Sequence, residues 1–358
     1  MNITAAMVKE LREMSGAGMM DCKKALTETN GDMDKAMDFL REKGLGAAKK
    51  KAGRVAAEGI VMSVGSDDSK KASIVEVNSE TDFVAKNDKF KTFVSNVANQ
   101  ILASGVKDLD TFLNSEWSLD NSKTVQEELS SQISVIGENM TIRRFSTLEA
   151  SENGFVCRYD HFNGKVSVLV HVECDSKETV EKSQELIKNI AMHISAMSPT
   201  YLSYKDFDKE WVEKEFLGIK ADIEKENEER VRLGKTLKHI PEYGSMLQLS
   251  DEVIKAKEEE LKAELLAQGK PEKILGNIIP GMIKRFIKDN TLIDQQYALL
   301  SQDFVLDAEK TVEEVLAEKS KEISGTIEIK EYVRLEVGEG IEKKEENFAE
   351  EVAKQMRM

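Results

Sequence analysis

Two stretches 95 residues apart carry the same pattern, and this repeat limits the fold more than any other feature of the chain. Gly59-Ile-Val-Met-Ser-Val64, a loop, then Ala72 to Asn78 reads as a β-hairpin, rich in β-branched residues and bounded by polar turns. Gly154-Phe-Val-Cys-Arg-Tyr159, a loop at Asn163-Gly164, then Val166 to Cys174 repeats it, with Gly59 on Gly154 and Val77 on Val172. Each hairpin leads into a segment of helical period. In residues 87–103 Phe90, Phe93, Val94, Val97 and Ile101 share a face, and the second segment runs from about Lys177 to Met197. Each half also has a candidate closing strand, Met140-Thr-Ile-Arg-Arg-Phe145 in the first and Ile327 to Val337 in the second. The expected fold class is therefore α+β, with a core of two repeated ββαβ subdomains over 56–148 and over 149–204 with 306–340.

The remaining segments read as helical. Thr4 can cap a first helix with Met7, Val8 and Leu11 facing inward; Ser15-Gly-Ala-Gly18 breaks it. Met19 to Thr27, a turn at Thr29-Asn-Gly31, and Asp32 to Lys43 complete a three-helix module over 1–55. Gly44 to Arg54, rich in Gly, Ala and Lys, reads as a linker. Residues 205–305 form a long excursion. Within it Val212, Phe216, Ile219 and Ile223, then Val253, Ile254, Leu261 and Leu265, predict an antiparallel helical hairpin over 205–266. A further helix starts at Pro271, and Pro280-Gly281 should kink or end it. A C-terminal helix over 341–358 places Phe348, Val352 and Met356 on one face.

Composition removes several function classes. A net charge of −15 and a pI near 5.0 disfavour general affinity for nucleic-acid backbones or anionic membranes. No apolar run approaches the ~20 residues that span a bilayer and no basic-then-apolar leader is evident, which gives a soluble, cytoplasmic expectation. The three cysteines are scattered, and the four histidines show no metal-ligand spacing, so neither a disulfide framework nor a metal centre is expected. Gly234-Lys-Thr236 looks like the end of a phosphate loop, but Glu229 stands where the earlier glycine belongs. No nucleophile elbow is present, no cofactor is called for, and the expectation is a non-catalytic interaction protein.

Ser79-Glu-Thr-Asp-Phe-Val-Ala-Lys86, at the exit from a strand into a helix, is the candidate site. On one reading Thr81 or Asp82 caps the helix and Phe83 is a first-turn core residue. On the other, Asp82 and Phe83 project from a rigid corner toward a partner. His193, within an apolar helical run, is likewise open between a core histidine and a contact residue.

Ile3-Thr-Ala-Ala-Met-Val-Lys-Glu-Leu-Arg12, Gly16-Ala-Gly-Met-Met-Asp-Cys-Lys-Lys-Ala-Leu26, Glu76-Val-Asn-Ser-Glu-Thr-Asp-Phe-Val-Ala-Lys86, Ile190-Ala-Met-His193 and Val337-Gly-Glu-Gly-Ile-Glu-Lys343 together resemble the bacterial translation elongation factor Ts family. The resemblance implies a ubiquitin-associated-like (UBA-like) helical domain, a core of two related subdomains, a coiled-coil excursion and a C-terminal helix. It implies a guanine-nucleotide exchange factor for the GTPase elongation factor Tu, with Thr81, Asp82, Phe83 and Val84 near that partner's magnesium and phosphate region. It further implies a second contact by His193, engagement of a helix of the GTPase by Arg12, Met19 and Met20, and bracing by Phe348 and Val352. A homodimer or a two-plus-two complex is favoured by the hairpin stripe. The competing expectation is a scaffold that binds whatever the nucleotide state.

Overall fold

The computed structural model describes residues 3–342; the C-terminal helix expected at 341–358, with Phe348 and Val352, lies almost wholly outside the described residues. The chain divides into two compact units, residues 3–180 with 328–342 and Glu181–Ile327.

The first unit opens with three helices, α1 (Ala5–Ser15), α2 (Met19–Glu28) and α3 (Met33–Lys51). Thr4 caps α1 by accepting the Met7 N–H, and Gly16 ends it at φ +68°, a conformation that favours glycine. Leu11, Cys22, Ala25, Leu26 and Ala36 bury a small common core.

Strands β1 (Glu58–Gly65) and β2 (Lys71–Ser79) form the first hairpin, followed by α4 (Asp82–Lys86), α5 (Asp88–Ser104) and α6 (Leu109–Asn114). A short ribbon, β3 (Glu116–Trp117) with β4 (Asp120–Thr124), precedes α7 (Val125–Ile136) and the closing strand β5 (Met140–Glu149). The sheet runs β1-β2-β5, all antiparallel. The second hairpin, β6 (Gly154–His161) with β7 (Val166–Cys174), repeats the register of the first: Gly59 faces Asn78 and Gly154 faces Glu173. Val61, Ile74 and Leu148 of one sheet and Val156 and Leu169 of the other share a core.

The expected linker is helical. α3 runs through Gly44 and Gly46 to Lys51 because Gly44 is buried against α7, where an added Cβ would lie 3.6 Å from the Ser130 carbonyl oxygen. Lys49, Lys50 and Lys51 occupy the last turn, where cations complement the helix dipole.

The chain enters the second unit within α8 (Lys177–Met197), which is followed by α9 (Lys209–Arg232), α10 (Asp251–Ala267), α11 (Glu272–Asp289) and α12 (Leu292–Tyr297). The ribbon β8 (Asp303–Phe304) with β9 (Asp307–Thr311), α13 (Val312–Ile323) and strand β10 (Ile327–Glu336) complete the order, and β10 joins the second sheet as β10-β7-β6. The expected hairpin fails here. The stripe on α9 packs on an aromatic cluster, with Phe207, Val212, Ile293 and Tyr297, while α10 forms its hairpin with α11 through Leu265, Leu275 and Ile279. The stripe thought to favour a second copy of the chain is therefore largely covered within its own unit. Pro280 sits inside α11 without ending it. Gly276, whose carbonyl loses its bond to the missing Pro280 N–H, is exposed, so solvent can satisfy it.

Candidate partner-binding site

The corner after β2 is held from both ends. Thr81 caps α4 by accepting the Val84 N–H at 3.4 Å. Its own N–H and hydroxyl donate to the two carboxylate oxygens of Glu138, at 3.0 and 2.7 Å. Glu80 accepts the Asn139 N–H at 2.5 Å, so the loop between α7 and β5 clamps the corner on two successive residues. Val84 and Ala85 then plug into the main core with Val75, Val77 and Phe90.

A single helical turn with its third and fourth residues buried points its second residue outward. That residue is Phe83, whose side chain is 78% exposed. The reading of Phe83 as a core residue is thereby excluded, and Val84, expected as a contact, is instead the anchor. Asp82 pairs with Lys86 at 2.6 Å, and this bond holds the Asp82 carboxyl below the usual carboxylate range. The Lys86 ammonium also lies 5.9 Å from the Phe83 ring centroid. The corner thus presents an ionised carboxylate beside an open aromatic face, on backbone that cannot easily fold the ring back in.

A family model described as Elongation factor TS matches residues 80–339, more than half the chain. The chain belongs to the elongation factor Ts family. Its members are translation elongation factors, and two relatives match across essentially the whole length. Elongation factor Ts of Campylobacter curvus is 53% identical over 99% of this chain and 100% of its own length. That of Helicobacter pylori is 52% identical over 99% of each.

The other residues singled out by likeness to the elongation factor Ts family fall in separate places. Arg12, Met19 and Met20 are exposed around the α1–α2 turn, joined by exposed Met14, which the sequence reading passed over. His193 departs from the expectation for a contact residue: it is fully buried in the second unit. Its Nδ1 accepts the Val305 N–H at 3.2 Å, so the ring proton is on Nε2, which donates to Gln302 Oε1 at 3.0 Å. Burial lowers its pKa and keeps the ring neutral, despite the opposing Gln302 bond. What His193 holds in place is the β8–β9 turn, where Val305 and Leu306 are exposed.

Glu138 was missed by the sequence reading. The signal that could have found it is its place just before a closing strand, one residue after the helix-ending Gly137. Replacing Thr81 with valine keeps the shape and removes both the cap and the hydroxyl bond to Glu138. The expected cost is about 1–2 kcal/mol. A shift of the urea midpoint at unchanged slope checks it; an unmoved midpoint would mean that the corner is held by its buried anchors alone.

Proposed function

We propose that the protein is a guanine-nucleotide exchange factor for elongation factor Tu, working by preference for that GTPase without bound nucleotide rather than by catalysing a bond change. The observation that carries this reading is Phe83, an aromatic side chain left in water by a clamped corner, beside an ionised Asp82. Brought against the partner's magnesium and phosphate region, the ring would displace the local packing and the carboxylate would oppose the phosphates. Linkage supplies the rest: a factor that binds the empty partner more tightly than the loaded one must weaken nucleotide binding by the same ratio.

One side chain is not enough. Burying a Phe contributes about 1.5–3 kcal/mol, whereas weakening a nucleotide ten-thousandfold takes roughly 5.5 kcal/mol. The α1–α2 methionine patch and the Val305–Leu306 turn are exposed apolar surfaces suited to add the difference as anchors. The test is release of labelled GDP from elongation factor Tu with and without the protein, at two salt concentrations. Acceleration at both, together with tighter binding to the nucleotide-free GTPase, supports exchange. Binding that ignores nucleotide state would establish the scaffold reading in its place.

A further inference from the structure

The second unit holds a cavity that the exchange reading does not use. It has a volume of about 560 Å³, within the range of small-molecule sites. Ile283, Ile287 and Pro280 of α11, with Met246 and Leu300, supply apolar wall. Asp294 of α12 also lines it and is 1% exposed. One of its carboxylate oxygens, Oδ2, accepts the Met246 N–H at 2.8 Å; the other, Oδ1, has no hydrogen-bond partner among the described residues. A carboxylate buried with one oxygen unsatisfied is unfavourable, and a ligand that donates to it would relieve that cost. Burial raises the Asp294 pKa to about 6, outweighing the bonds from Ser245 and Met246 that pull it down.

The rim selects the sign of the ligand. Among the described residues Asp303, Glu309, Glu313 and Glu314 line it against two cations, Lys284 and Lys288. Both lysines are engaged, Lys284 with Glu314 at 2.7 Å and Lys288 with Asp303 at 2.8 Å. Glu309 and Glu313 add negative charge on the same wall, with no ion pair among the described residues. An anion is disfavoured at such a mouth, and a neutral apolar molecule would leave Oδ1 as it is.

We propose that this cavity binds a small aliphatic amine, and best a linear diamine, with one ammonium on Asp294, methylenes along Ile283 and Ile287, and the second ammonium at Glu309 and Glu313. The test titrates the full-length chain by calorimetry with 1,4-diaminobutane, n-butylamine and 1-butanol. One diamine per chain, binding more tightly than the monoamine, with butanol showing no heat, is the expected result. Asp294→Asn should weaken the diamine at least tenfold and Glu313→Gln about threefold, each variant's fold being checked by circular dichroism. Should Asp294→Asn not fold, Glu313→Gln and the comparison of diamine with monoamine still decide the matter. Failure of the diamine to bind at millimolar concentration, equal binding by both variants, or equal binding of butanol would overturn the proposal. So would saturation by a lysine-bearing peptide but by no free amine. GDP release is a separate readout and is expected to stay at the parent rate in Glu313→Gln.

Discussion

Phe83→Ala should slow factor-stimulated GDP release from elongation factor Tu by about ten- to hundredfold, while changing the stability of the protein itself by less than about 0.5 kcal/mol. The first figure follows from losing the about 1.5–3 kcal/mol that burying the ring in a partner would supply, at a factor of ten per 1.4 kcal/mol. The second follows from exposure, since a ring 78% in solvent leaves no cavity behind when it is truncated. The two numbers discriminate together. A slow variant that is also strongly destabilised would mean that the corner had moved, and a fast variant of normal stability would remove the ring from the mechanism. Stopped-flow release with labelled GDP, paired with urea unfolding, measures both. Phe83→Leu should fall between, because it keeps apolar area without the aromatic face.

Why Phe83 could not be placed from sequence is a matter of which neighbour wins. Phe83 and Val84 are adjacent apolar residues at a helix start, and either could turn inward; Val84 does because Thr81 caps the turn and Glu138 fixes its rotation. That carboxylate lies 57 residues further along the chain, beyond the reach of any local pattern. The two hairpins, by contrast, were visible, because strands of eight and nine residues carry long runs of apolar and β-branched residues between polar turns and repeat at one offset. The ribbon and helix that precede each closing strand escaped. Leu119-Asp120, Lys123-Thr124-Val125 and the capping box to Glu127 recur as Leu306-Asp307, Lys310-Thr311-Val312 and Glu314. Their offset is 187, as in Thr311 against Thr124, and 187 minus 95 is a net insertion of 92 residues. A search at a single offset finds only the hairpins, and the two-residue strands β3 and β8 are too short to show a period.

The helical excursion failed for another reason. Apolar spacing shows that a helix has a buried face but not what will cover it. The spacing on α10 fits α9 as well as α11, and only the tight turn at Gly269, with φ +78°, brings α11 back onto it. Gly44 and Gly46 likewise favour the linker reading, although a glycine costs a helix only about 1 kcal/mol, an amount that packing of α3 on α7 can offset.

Glu76→Gln should be the most damaging conservative substitution in the first unit, costing about 3 kcal/mol or more at neutral pH. Glu76 is fully buried on β2 and accepts from Arg143 at 3.1 Å, Arg144 at 2.6 Å, Asn78 at 3.0 Å and the Gly338 N–H at 2.8 Å. Consecutive residues of a strand normally face opposite ways, yet both arginines reach this carboxylate. The bulge opposite Glu76 and Val77, where Arg144 pairs with Glu76 and Ile142 with Val77, makes that geometry available. Arg143 and Arg144 also grip Glu339, so the carboxylate ties the sheet to the turn after β10. Gly338 is required in that turn by its φ of +73° and because an added Cβ would lie 2.3 Å from the Ala57 carbonyl oxygen. Burial alone would push the Glu76 pKa up, but the Gly338 N–H, Asn78 and Arg144 outweigh it and leave the group below its ordinary value of 4.5. A carboxyl lowered on folding stabilises the native state above its unfolded pKa, and that contribution is lost as pH falls through the lower folded value. The advantage of the parent over Glu76→Gln should therefore be full at pH 7 and shrink in acid below about pH 4.5. Urea unfolding of both proteins across that range measures it, and a gap that stayed constant into acid would show that shape rather than charge at position 76 holds the sheet to the turn.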